Sequence, residues 1–289
     1  MIVDYEEKVY ETYFNIELSR LGSIFPIGQV AEGILGFDAG AYLNPHARSA
    51  VFMRKPCRCC ASRRWDGVRF SEITHMFSNR CNTIPNIKLN ALFQYKKPEF
   101  LNSRNAKEWG DWKSSYYRYH IYAKQQNILN RIAMCLGDKI IALYAAPAIA
   151  EWNELVQTAE EQKIIEMSNL IEVKKIASHS CVTYIDGEHP ARLHSKMEEG
   201  EQFDFIAFLK RREKTYTKNI EDVINFIVSS GKAVEEIIES LKVKELVTGY
   251  AQDYESYIDY KDEYQKVKYY LLLMKILADI TGSEWYFIQ

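Results

Sequence analysis

The chain has 289 residues, 47% hydrophobic and 26% charged, with a net charge of -2 and a pI near 6.3. These values exclude a disordered chain and a protein that is basic throughout, and they suit one large globular domain or two small ones. No charged-then-apolar leader opens the sequence and no apolar run reaches about 18 residues, so a soluble cytoplasmic protein without a membrane partner is expected.

From Asp4 to Leu21, Val9, Tyr13 and Ile16 recur at helical spacing and Gly22 closes the pattern, which predicts a first helix. The glycine-rich run that follows ends in "GFDAGAYL", read as a strand carrying Asp38. Residues 44 to 88 form an irregular, basic insertion. Within it, Arg54, Lys55, Arg58, Arg63 and Arg64 alternate with Phe52, Trp65 and Phe70, a composition suited either to gripping phosphates or to plain solvation. The six cysteines, at 57, 59, 60, 81, 135 and 181, lack a disulfide or zinc-ribbon spacing and read as reduced thiols. A zinc-supported structural role for "CRCC" with His75 and Cys81 is the lesser alternative.

Next comes "NALFQYKKPEFL", an apolar strand in which Gln94 and Lys96 share a face because side chains two apart project to the same side. A helix is predicted from about Tyr119 to Leu136, then a buried strand, "DKIIALYAAP", then a helix through "AIAEWNELVQTA". Beyond residue 150 the sequence reads as mainly helical, in "IEDVINFIVSSGKAVEEIIESL" and in the segment ending "KILADI", with one strand, "SCVTYIDG", before a polar loop that holds His194. Two parts follow: an α/β core over 1–150 and a helical region over 151–289 packed on it.

A metal-dependent nuclease site needs carboxylates on adjacent strands to hold Mg2+ and a cation to place the attacking water. Asp38, the Gln94 amide oxygen and the Tyr95 carbonyl could hold the ion, with Lys96 beside the water. The x-x-K pattern also occurs as "EEK", "DWK", "EQK", "EVK" and "DYK", and context selects "QYK", with "EVK" at Glu172 the chief rival. Helix, strand with Asp38, Q-x-K strand, helix and final strand, in that order, resemble the PD-(D/E)XK nuclease superfamily, in its Q-x-K form the Mrr-like branch. The resemblance covers about residues 4 to 155.

It implies a restriction-endonuclease-like mixed sheet flanked by helices, and Mg2+-dependent (or Mn2+-dependent) endonuclease activity, with DNA the expected substrate. Bacterial restriction or phage defence is the implied setting. Glu32 or Glu11 would complete the site; Lys97, Gln126 and the basic insertion would touch nucleic acid. A homodimer or partner subunit is compatible with cutting two strands. Because Gln94 stands where a carboxylate is usual, a catalytically inactive nucleic-acid-binding or protein-interaction module is the alternative.

Overall fold

The computed structural model of the chain describes residues 3–21, 24–26, 87–176, 178–187, 189–194, 197–241 and 263–288. Glu32, Asp38, the basic segment with Arg54, Lys55, Arg58, Arg63 and Arg64, and the "CRCC" cysteines with His75 and Cys81 lie outside the described residues.

Helix α1 (Glu7–Leu21) carries an acid in its first turn and a base in its last, as the helix dipole favours. Its Tyr10, Phe14 and Leu18 fall one turn apart and are buried against one face of strand β2 (Leu89–Tyr95). Every residue of β2 is buried, so its two faces serve two packed layers. Leu89, Ala91, Phe93 and Tyr95 meet α1, with the Phe14 and Phe93 rings 5.3 Å apart. Leu92 belongs to the opposite layer with Tyr144 and Trp285.

Strands β1 (Ile24–Pro26), β5 (Ile140–Pro147), β6 (Ser168–Glu172) and β10 (Glu284–Ile288) complete a mixed sheet in the order β1-β10-β2-β5-β6. Among the described strands only β2 and β5 run parallel, and helix α3 (Ala123–Leu136), on the connection between them, is ended by Gly137 at a φ of 57°. A second, antiparallel sheet has the order β3-β4-β7-β8-β9: β3 (Glu99–Leu101), β4 (Tyr116–His120), β7 (Cys181–Tyr184), β8 (Ala191–His194) and β9 (Glu198–Gly200). Short helix α2 (Trp109–Trp112) lies between β3 and β4 in the chain. The apolar side of this sheet, through Tyr117, Tyr119, Val182, Tyr184 and Leu193, shares a core with α3 and with the long helices α7 (Ile220–Ser240) and α8 (Glu263–Thr281). Helices α4 (Trp152–Glu160), α5 (Val173–Ile176) and α6 (Phe205–Arg211) fill the remaining connections.

The α/β class with flanking helices agrees with the sequence reading. Three features differ. Residues 151–289 hold β6 to β10 as well as helices, and β6 and β10 lie in the same sheet as β2, so residue 150 separates no independent core. The polar segment after β7 forms β8 and β9, because its small apolar set, Ala191 and Leu193, alternates with polar residues at strand period. The helix expected from Tyr119 starts at Ala123, since Tyr117 to His120 pair with β7.

Candidate active site

Lys96 leaves the end of β2, where its N–H still bonds to the Ala145 carbonyl of β5 at 2.9 Å. The chain then crosses to β3, so Gln94 and Lys96 stand at the junction of the two sheets. Both are buried, at 3% and 7% exposure. Lys96 Nζ donates to Gln125 Oε1 at 2.8 Å, and Gln125 Nε2 donates to Gln94 Oε1 at 2.8 Å and to the Thr281 carbonyl at 2.5 Å. Ser283 Oγ, just before β10, also donates to Gln94 Oε1, at 2.9 Å. Gln94 Nε2 donates to the Tyr95 carbonyl at 3.1 Å. Elements distant in sequence thus lock the Q-x-K side chains into one network.

Aromatic rings wall the ammonium: Nζ is 4.9 Å from the centre of the Tyr122 ring and 5.7 Å from that of Tyr144. Burial pushes the Lys96 pKa below its usual value, with the Glu7 carboxylate acting in the opposite direction. Among the described residues no carboxylate lies within ion-pair distance of Nζ.

The other candidates fall around this network. Glu7 accepts the Lys97 N–H at 2.8 Å and so anchors the turn after Lys96. The Lys97 side chain pairs with Glu6 at 3.3 Å. Glu11 packs on the α1 side of the sheet with Lys8 and Glu284, apart from the Gln94 network, and burial holds its carboxyl above the usual range, with Lys8 opposing and Glu284 adding to the rise. The Tyr95 ring is in the α1 layer, its hydroxyl bonded to Asn15 Oδ1 at 2.5 Å.

The resemblance would have Gln126 touch nucleic acid. It is buried instead, accepting from the Tyr144 hydroxyl at 2.8 Å and donating to the Val173 carbonyl at 2.9 Å, so both ends of its amide are engaged inside the chain. Its neighbour Gln125 holds the site. Helical phase could have separated them: Gln126 lies on the buried stripe of Leu129, Ile132, Ala133 and Leu136, and Gln125 flanks that stripe. No comparable local signal marks Ser283 or Thr281. His194 ends β8, with its ring 2.7 Å from Thr183 Oγ1.

Mg2+ takes about six oxygens at roughly 2.1 Å, carboxylates among them. Gln94 Oε1 already accepts two hydrogen bonds, its ordinary capacity, while Glu7 gives one carboxylate oxygen to the Lys97 N–H. No cluster of three His, Cys, Asp or Glu side chains fit for a metal occurs among the described residues. The described donors alone do not make a three-carboxylate cluster, and the resemblance assigns a further carboxylate to Asp38. Over residues 90–93, β10 and β5 flank β2 on its two edges. No protein-family model, curated protein or solved structure matches the chain. No described helix is long and apolar enough to cross a membrane.

Proposed function

We propose that the chain is a metal-dependent endonuclease with a restriction-endonuclease-like core, hydrolysing phosphodiester bonds in DNA, with bacterial restriction or phage defence as its setting. The observation that carries this reading is Lys96: a desolvated lysine at the end of a central strand, fixed by an amide and two rings instead of a carboxylate. Lysine is seldom buried without a paired charge, and such groups concentrate at functional sites.

A lowered pKa enlarges the fraction of free amine near neutrality, which can hold an attacking water and receive its proton. Water adds to phosphorus and gives a proton to Nζ, one ester P–O bond breaks, and the departing oxygen takes up a proton from solvent, leaving a phosphomonoester and a hydroxyl end. In the charged form the same group can bind a non-bridging phosphate oxygen. A divalent ion held through Asp38 would polarise the phosphate.

Supercoiled plasmid incubated with the protein in Mg2+, Mn2+ or EDTA tests the reading. Nicked or linear product is expected with the metals alone, and a loss of at least about a hundredfold for Lys96→Ala and Asp38→Ala. Undiminished metal-dependent cleavage by Lys96→Ala overturns the assignment. A second reading, a nuclease-like binding module without catalysis, is favoured by the saturated Gln94 oxygen. Nucleic acid bound but never cut, under any of the metal conditions, is its signature.

A further inference from the structure

We infer that Tyr122 is a base-stacking residue at the mouth of the Lys96 site, and that the site takes a nucleotide unpaired at the point of reaction. This rests on the reading of the chain as a nucleic-acid-handling protein. Tyr122 occupies the short link between β4 and α3, at the N-cap of the helix, and its carbonyl accepts the Gln126 N–H at 2.9 Å, so its backbone is fixed. Its ring covers Lys96 Nζ at 4.9 Å, yet the residue is 67% exposed. Tyr144, the other ring beside Nζ, is fully buried with its hydroxyl bonded to Gln126.

The two rings therefore differ in what they can do. Tyr144 is closed off inside the chain, whereas the exposed Tyr122 lies between the buried amine and solvent and offers an aromatic surface to whatever approaches it. A phosphate drawn to Nζ brings its own base and sugar within reach of that surface. A base inside a duplex has both faces covered by its neighbours and must be unstacked before it can use the ring. An unpaired base stacks without that cost, and stacking on a protein ring tolerates any base because each has a π face.

Fluorescence anisotropy in EDTA, where no cutting occurs, measures this directly with a labelled single-stranded oligonucleotide and the duplex of the same sequence. Wild type is expected to hold the single strand more tightly. Tyr122→Ala should lose about tenfold or more on the single strand with the duplex changed less than about twofold, while Tyr122→Phe keeps the preference. Circular dichroism confirms that the exposed substitution leaves the fold intact. Tyr122→Ala that binds the single strand like wild type, or that weakens both ligands in equal proportion, overturns the inference while the nuclease reading stands. Wild type that binds neither ligand overturns both.

Discussion

Lys96 shows how a buried lysine without a paired carboxylate among the described residues weakens the fold that holds it. Burial disfavours its ammonium, and Glu7 offsets this only in part, so the folded pKa lies below the unfolded value of 10.5. Between those two values the unfolded chain binds the extra proton, so stability rises as pH climbs through that window. Below the window the whole penalty is present. Lys96→Met keeps the length of the side chain and removes the charge. The expected outcome is a protein more stable at pH 7 by on the order of 1 kcal/mol, without the alkaline rise contributed by Lys96, and inactive on plasmid. Chemical denaturation at several pH values checks it; a Met variant less stable than wild type at neutral pH would mean that the bond to Gln125 outweighs desolvation. The same residue marks what sequence makes legible. Strand period places Gln94 and Lys96 on one face, but the partners that fix them, Gln125 and Ser283, lie 31 and 189 residues from Gln94.

Among the elements, α7 and α8 pack closely at one glycine. Their helical character is plain in the apolar spacing, whereas the way they meet depends on Gly231. A Cβ built there would stand 2.2 Å from Cβ of Tyr270, an atom next to the backbone that cannot swing away. Gly→Ala inside a helix ordinarily gains up to about 1 kcal/mol from propensity. Here the overlap decides the sign, and Gly231→Ala is expected to cost roughly 1–3 kcal/mol, read as a lower urea midpoint with an unchanged slope. Tyr270→Ala keeps the offending Cβ and should not rescue it. A midpoint equal to or above that of wild type would show that the helices separate freely. Periodicity makes each helix legible because it is a local property; the close approach is a property of the pair and leaves no mark except an unexplained glycine.

At the scale of the molecule the fold closes through a strand that the sequence reading passed over. The helical pattern ending in "ADI" drew the eye away from "EWYFI", five residues that form β10. β10 is inserted antiparallel between β1 and β2, so it covers the edge of the strand that carries the Q-x-K pair, and the turn entering it supplies Ser283 to Gln94. Such pairing joins residues nearly the length of the chain apart, and only the assembled sheet selects it. Ending the chain after Gly282 tests its weight. Trp285, Tyr286, Phe287 and Ile288 are each no more than 3% exposed. At roughly 1.5–3 kcal/mol for each buried side chain, their loss removes about 6–12 kcal/mol, comparable to the whole stability of an ordinary domain. The backbone groups of β2 over residues 89–93 also lose their β10 partners. The shortened chain is therefore expected to lack a cooperative thermal transition when followed by circular dichroism. A cooperative melt within a few degrees of the full chain would show instead that β1 or another segment closes against β2. In that case the edge slot beside the Q-x-K strand could be filled from elsewhere, and β10 would not be what closes the sheet.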